Sequence, residues 1–300
     1  MRRQPLLMFF LLTMLFSWGF WVPLVLAAQG RIAAPLSPSH MQMLGAYGPA
    51  IAAMIVTSII GGINGLRNLF GRLLLWRVGV VWYVVALLLP AVISLLNTML
   101  HTMFGGDAPN FAEPPVSRVP LPSALAGFSP AGLVVPLFIY HLIFGPAIGE
   151  ELGWRGFALE RFQQHQSALR ASLVVGLCWV IWTLPLSWTP STPGPTLLRI
   201  LLLLLAVIPA SILSTWIYNR TQGSLLLVVL FNNAVKVTDL FVTPAASNPI
   251  FTIASFWIVA FLVLRFTGPE PLGSRPRSAG PEQSPGTAAA DSKLSMPTSP

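Results

Sequence analysis

The stretch LLRILLLLLAVIPASILSTWIY, residues 197–218, carries one charged side chain, Arg199, in an otherwise mostly apolar run. About 20 consecutive apolar residues are enough for an α-helix to cross the hydrocarbon core of a bilayer. Similar runs recur along most of the chain. Because lipid offers no hydrogen-bond partners, each run has to satisfy its own backbone groups. The sequence therefore predicts an all-α, polytopic membrane protein.

The composition supports this fold class. Of the 300 residues, 54% are hydrophobic, only 9% are charged, and the mean hydropathy is +0.73. Soluble domains contain about 25% charged residues, so an ordinary soluble protein is excluded. The net charge of +8 is typical of membrane proteins with basic cytoplasmic loops, and we expect no nucleic-acid partner. The single cysteine, Cys178, excludes an internal disulfide and has apolar neighbours, which favours a packed thiol.

We predict about eight spans in one helical domain, residues 1–267. A Pro-, Ser-, Gly- and Ala-rich tail, residues 268–300, follows and should be disordered. The predicted spans are Leu6 to Ala27, Met43 to Gly62, Val78 to Leu100, Ala131 to Gly149, Ala168 to Trp188, Leu197 to Tyr218, Ser224 to Phe241 and Ile250 to Phe266.

The basic residues between the spans predict the orientation. With an even number of spans, both termini share one side with all the basic loop residues except Arg31, Arg118 and Arg199. Cytoplasmic loops are enriched in Lys and Arg. We therefore expect an integral protein, surrounded by lipid, of a bacterial cell membrane, with both termini in the cytoplasm. The segment Ile63 to Arg77 mixes Arg with Leu, Phe and Trp, and is either a helix in the headgroup region or a plain cytoplasmic loop.

Ionisable residues inside spans are costly and therefore mark candidate functional sites. In the segment GEELGWRGF, residues 149–157, Glu151 and Arg155 are four residues apart and face each other on a helix, whereas Glu150 is rotated by about 100°. Glu151 and Arg155 are therefore expected to form an orienting ion pair, which leaves Glu150 free to act as a general base. A buried ion-pair network that only fixes helix packing is the structural alternative.

Two further helices carry polar groups. Thr183 precedes Pro185 by two residues, and its hydroxyl is expected to bond its own helix backbone. The segment FNNAVKVTD, residues 231–239, places Asn232 and Lys236 on one helical face. Two Asn and one Lys in a single span have to face protein or water.

These residues resemble a known family. The segment around Glu150, Glu151 and Arg155 looks like the first motif of the CPBP intramembrane proteases, a group that includes the CAAX prenyl endopeptidases and bacteriocin-processing proteins. The similarity extends over about residues 138–238. It implies an eight-helix fold, a glutamic endopeptidase in which Glu150 activates water, and His or Asn side chains from two other helices. It also implies a peptide or protein substrate, and the family name suggests a membrane-bound or prenylated one.

The chain departs from the family pattern at both motif histidines. Thr183 stands where the second motif has His, and the third motif reads Asn232-Asn233-Ala234-Val235-Lys236 where the family has His-x-x-x-Asn. Of the four histidines, only His141 lies on a motif-bearing helix, and we interpret it as a core or interfacial residue. Zinc sites ordinarily include His or Cys ligands, so we expect no zinc and no other cofactor.

Three functions remain open from the sequence. The first is a weakened intramembrane endopeptidase that uses Glu150 and Asn232, with the Asn232 amide donating to an oxyanion. The second is a pseudoprotease of the same fold that binds a peptide, lipid or partner in the cleft. The third is a transporter with Lys236, Asp239 and Glu150 as an ion relay, although no pseudo-symmetric halves are recognisable. We further predict that Lys236 pairs with Glu150, holds the carboxylate ionised and makes the base slow.

Overall fold

The structure is a computed structural model that describes residues 4–110, 113–118, 125, 127–189, 196–242 and 248–267. Within these ranges the chain forms helices and connecting turns, and no β-strand is present. The all-α prediction is thereby confirmed. The tail 268–300 lies outside the described residues, so its disorder stays a prediction.

The described ranges contain α-helices together with short 3₁₀ turns and one π-helical turn. Short 3₁₀ turns cover Arg72–Leu74, Pro115–Arg118 and Leu184–Trp188, and a π-helical turn covers Trp154–Leu159. The helices are α1 Pro5–Ala28, α2 Pro38–Ala46, α3 Gly48–Gly71, α4 Val80–Met103, α5 Pro130–Phe144, α6 Ala147–Gly153, α7 Glu160–Gln163, α8 Ala168–Thr183, α9 Thr196–Arg220, α10 Leu225–Asp239 and α11 Pro249–Thr267.

Six helical segments are long and apolar enough to cross a membrane, and a bent pair is the seventh candidate. In that pair α5 is followed, after a bend of 46°, by the segment Ala147–Gln163. The predicted span Ser224 to Phe241 forms α10, which has only 15 residues and is shorter than a typical span. Most of its side chains are buried inside the protein. The polytopic prediction is therefore confirmed, with α10 as a short central helix.

Serine residues begin four of the helices. The hydroxyls of Ser37, Ser129, Ser167 and Ser224 each accept a hydrogen bond from a backbone N–H in the first turn of α2, α5, α8 and α10. Such N-caps satisfy donors that have no partner within the helix. They fix where α8 and α10 begin, and therefore the positions of the polar residues further along these helices.

The bend between α5 and α6 positions the paired glutamates. Gly145 ends α5 in an extended conformation, and Pro146 directly precedes α6. A Pro cannot continue the hydrogen-bond ladder of the preceding helix, so a new helix starts here. Glu150 and Glu151 lie in this new helix, buried in the middle of the bundle.

Close helix packing around α6 depends on glycine. A Cβ on Gly153 would lie 2.7 Å from the backbone carbonyl carbon of Pro49, and one on Gly149 would lie 3.0 Å from the carbonyl oxygen of Ala46. Both glycines therefore allow the backbone of α6 to approach the backbone of the end of α2 and of the start of α3. The following π-helical turn buries Trp154 and Phe157 completely.

The segment Ile63 to Arg77 is helical for most of its length. Gly62 has a φ of +56°, which bends α3, and the helix then continues to Gly71. Ile63, Phe70 and Trp76 are exposed in this segment. These features favour the interfacial helix over the plain loop.

Candidate functional site

Side chains from α6 and α10 meet at the centre of the bundle. The Nζ atom of Lys236 lies 3.3 Å from Oε1 of Glu150. The Nδ2 atom of Asn232 donates to Oε2 of Glu150 at 3.3 Å and to Oε1 of Glu151 at 2.8 Å. The fold therefore brings together residues 81 to 86 positions apart in the chain.

The predicted pairing of Lys236 with Glu150 is thus present in the structure. Glu150 is buried, whereas about a third of the Lys236 side chain is exposed. Asp239, the other carboxylate that the sequence offered, accepts a hydrogen bond from the Ser94 hydroxyl at 3.4 Å. Lys236 therefore contacts Glu150 and also lines the cavity beside it.

Arg155 and Glu151 form the predicted ion pair. Nη1 of Arg155 lies 3.2 Å from Oε1 of Glu151, and both side chains are completely buried. Nη2 of Arg155 donates to the Ser211 hydroxyl, which in turn donates to the carbonyl oxygen of Ser172. The guanidinium also lies over the ring of Trp179, at 5.0 Å from its centroid. These contacts from α8 and α9 hold Arg155, and through it Glu151, in one orientation.

Among the described residues, one carboxylate oxygen of Glu151 accepts all of its side-chain hydrogen bonds. Its Oε1 accepts from both Arg155 and Asn232, whereas Oε2 is buried and has no hydrogen-bond partner among the described residues. Because both hydrogens of the Asn232 amide point to carboxylates, this amide orients Glu150 and Glu151 and does not face the space where an oxyanion would form. The neighbouring Asn233 donates to the carbonyl oxygen of Phe138 and ties α10 to α5.

Thr183 behaves as the helix-backbone hydroxyl that its sequence context predicts. Its Oγ1 donates to the carbonyl oxygens of Trp179 and Val180, at 3.0 and 3.2 Å. The residue nevertheless lines the cavity beside Glu150. A histidine at this position would therefore reach the cavity, whereas the threonine hydroxyl is turned to its own helix.

A cavity of about 500 Å³ lies beside this group of residues. Polar residues, among them Glu150, Thr183 and Lys236, line one part of it, and the remaining wall is mainly apolar and aromatic. The other lining residues are Trp21, Ser39, Gln42, Met43, Ala46, Tyr140, His141, Phe144, Gly145, Pro146, Trp179, Trp182, Leu186 and Val207.

Sequence reasoning missed the position of His141. This residue lines the same cavity as Glu150, although we interpreted it as a core or interfacial histidine. It lies on α5, before the bend at Pro146, and its spacing from Glu150 therefore predicts no shared helical face. Ser211 and Trp179, which hold Arg155, carry no sequence signal that separates them from other residues of their spans.

The residues around Glu150 do not fit a zinc ion. The described ranges contain no group of three or more His, Cys, Asp or Glu side chains that could hold a metal. An ammonium, that of Lys236, contacts the carboxylate that a metal would need. A divalent cation would have to displace this positive charge and would find few ligands of the type that zinc prefers.

Two comparisons with known proteins agree with the motif resemblance. Residues 131–237 match the family model for Type II CAAX prenyl endopeptidase, Rce1-like. The chain is also 28% identical over 188 residues to CAAX prenyl protease 2 of Methanococcus maripaludis, an alignment that covers 61% of this chain. It spans 64% of the length of that relative. All six motif residues lie within residues 131–237, the part of the chain that is similar to the CAAX prenyl endopeptidases.

Proposed function

We propose that the protein is a CAAX-type membrane endopeptidase in which Glu150 activates water and Lys236 keeps the reaction slow. The observation that carries this proposal is the contact of two buried carboxylates with one amide, that of Asn232, at the wall of a cavity large enough for a peptide segment. A carboxylate held beside such a space can accept a proton from a bound water molecule.

In the proposed reaction one carboxylate acts first as the general base and then returns the proton to the leaving group. Glu150 takes a proton from water as the water oxygen attacks the carbonyl carbon of the substrate peptide bond. The protonated Glu150 then gives this proton to the departing amine nitrogen as the C–N bond breaks. Glu151, Asn232 and Arg155 are positioning residues for this step, because they fix the Glu150 carboxylate in a single orientation.

The shape of the cavity supports an apolar substrate. Five Phe, Tyr or Trp residues, Trp21, Tyr140, Phe144, Trp179 and Trp182, line it together with Met43 and Leu186. Ligand sites commonly combine such apolar walls with a few polar groups that fix orientation. An apolar peptide or a peptide with an isoprenoid group fits this lining, and the name of the archaeal relative refers to a prenyl substrate.

Lys236 argues for low activity. Its ammonium nitrogen lies 3.3 Å from Oε1 of Glu150 and competes with a water molecule for this oxygen. A base that is held as a paired anion removes a proton poorly. We infer that cleavage proceeds when substrate binding draws the Lys236 side chain away from Glu150.

A pseudoprotease is the second candidate. Thr183 and Asn232, which stand where the family motifs have histidines, favour this function. Neither side chain in this structure offers a hydrogen-bond donor to the centre of the cavity. In that case the cavity binds a peptide or lipid without cutting it, and Glu150 contributes only to binding.

A cleavage assay separates the two functions. Wild-type protein and Glu150→Gln are reconstituted in liposomes and incubated with a library of apolar and prenylated peptides. We expect slow cleavage that falls at least about a hundredfold in Glu150→Gln, the lower range for loss of a general base. Glu113→Gln, which changes an exposed carboxylate outside the site, is the matched control. If both the wild-type protein and Glu150→Gln bind peptide and neither cleaves it, the pseudoprotease is favoured.

A further inference from the structure

The two ends of the helical bundle differ in charge. At one end of the bundle the end of α1 meets the end of α8, where Gln29 donates to the carbonyl oxygen of Trp188, and at the other the end of α3 meets the end of α9, where Arg72 donates to the Tyr218 hydroxyl. The second end, here called the arginine-rich end, carries Arg67, Arg72, Arg77, Arg161, Arg170, Arg220 and Arg265. The opposite end carries Arg31, Arg118 and Arg199.

The arginine-rich end is closed over the site. Arg72 contacts Glu160 and the Tyr218 hydroxyl, and this hydroxyl donates to Glu160 at 2.8 Å. Along the chain between Glu150 and Glu160, Trp154 and Phe157 of the π-helical turn are completely buried. A separate cavity of about 490 Å³ at this end, beside Glu160 and Gln164, shares no lining residue with the cavity of Glu150.

The site opens toward the opposite end. Its cavity is lined by Ser39 and Gln42 of α2 and by Leu186, which follows α8. A second cavity of about 450 Å³ shares Gln42 and Leu186 with it and extends to Ala28 and Thr189. These residues lie at the ends of α1 and α8, where Gln29 donates to the carbonyl oxygen of Trp188. A path therefore leads from Glu150 to the arginine-poor end.

The distribution of arginines orients this path in the membrane. Basic residues accumulate on the cytoplasmic side, and seven arginines against three is a clear bias. We propose that the Glu150 site is reached from the extracytoplasmic face, so that its substrates are peptides outside the cytoplasm or anchored in the outer leaflet. That these substrates are cut rests on the proposed function, whereas the side of access does not.

The chemistry of the mouth fits such a substrate. Gln42 and Ser39 are exposed and uncharged, and the wall behind them is aromatic. A polar, neutral rim allows a peptide backbone to enter from water, while the apolar wall accepts hydrophobic side chains or an acyl or isoprenoid chain from the adjacent leaflet. A strongly charged peptide would lose its hydration here without finding an opposite charge at the rim.

Cysteine labelling tests the direction of access without any need for cleavage. In a Cys178→Ala background, intact cells that produce Gln42→Cys, Ser39→Cys or Gln164→Cys are treated with a membrane-impermeant maleimide. We expect labelling of Gln42→Cys and Ser39→Cys in intact cells, and of the matched control Gln164→Cys only after permeabilisation. The reverse pattern would overturn the orientation.

A second pair of variants tests whether the site itself is reached from outside. Lys236→Cys and Thr183→Cys both line the cavity, and a small charged methanethiosulfonate should label them from the outside of intact cells. Two positions are used because one variant alone could fail to fold. Labelling only from the cytoplasmic side, or from neither side in folded protein, would overturn the proposal. External labelling of a protein that cleaves nothing would reject the proposed function and leave the direction of access intact.

Discussion

The ammonium nitrogen of Lys236 lies 3.3 Å from a carboxylate oxygen of Glu150, across 86 residues of sequence. The two residues belong to different helices, and each occupies a motif position of the family. Lys236 is the departure from the family motifs that adds a charge, and Glu150 is the carboxylate that the resemblance assigns to catalysis. The charge that the departure adds therefore lies directly beside this carboxylate. Of the positions at which the chain departs from the family motifs, Lys236 should therefore have the largest effect on activity.

Replacement of Lys236 by Asn should raise peptide cleavage. Removal of the cation frees Glu150 to accept a proton, and we expect about a tenfold increase, which corresponds to about 1.4 kcal/mol in the barrier. The initial rate in liposomes measures the effect. Lys236→Arg, which keeps the charge, should show no increase. If Lys236→Asn abolishes cleavage instead, the ammonium is itself a catalytic group.

Restoration of the motif histidines should raise activity further. The combination of Thr183→His, Asn232→His and Lys236→Asn supplies imidazoles at two positions that border the Glu150 carboxylate or its cavity. We expect cleavage above that of Lys236→Asn alone. The same triple variant with Glu150→Gln is the control and should be inactive. A folded triple variant that is less active than wild type would contradict a cleft that is otherwise intact.

Removal of the Arg155 side chain should destabilise the fold. Arg155→Ala leaves the Glu151 carboxylate buried without its partner, and breaking such a buried pair typically costs about 3–5 kcal/mol. Thermal unfolding in detergent and the yield of folded protein measure the loss. Exposed Arg77→Ala should change neither. The double variant Glu151→Gln with Arg155→Met should recover part of the stability, and normal stability of Arg155→Ala would assign Arg155 a direct role in substrate contact.

A methyl group at Gly153 should disturb the packing of α6 on α3. The Cβ of Gly153→Ala would lie 2.7 Å from a backbone atom of Pro49, which cannot move as a side chain can. Overpacking of this kind costs about 1–3 kcal/mol. Gly19→Ala is the matched control, because a Cβ there meets nothing within 4 Å. Equal unfolding midpoints of the two variants would show that the helices can separate without cost.

Purified protein should hold no stoichiometric zinc. The ligand positions that zinc would use carry Thr183 and Asn232, and Lys236 supplies a positive charge beside Glu150. Elemental analysis of protein purified without chelator tests this, and a chelator should leave cleavage unchanged. One zinc per chain that disappears in Glu150→Ala would show that a metal binds at this carboxylate after all.

The sequence by itself determined the fold class, the motif residues and the local pairing of Glu151 with Arg155. Apolar runs have only one way to satisfy their backbone in lipid, and a spacing of four residues has only one geometry on a helix. The backbone-bonded hydroxyl of Thr183 follows from a local signal of the same kind. Local physics was sufficient for each of these predictions.

Only the tertiary structure decided which distant groups meet. Asn232 and Lys236 share a helical face by spacing, but their contact with Glu150 depends on the bend at Pro146 and on the close approach of α6 to α3 at Gly149 and Gly153. The place of His141 in the cavity depends on the same bend. The end at which the cavity opens depends on the packing of all the helices together. No spacing along one helix encodes such relations, because the packing of several helices sets the position of each relative to the others.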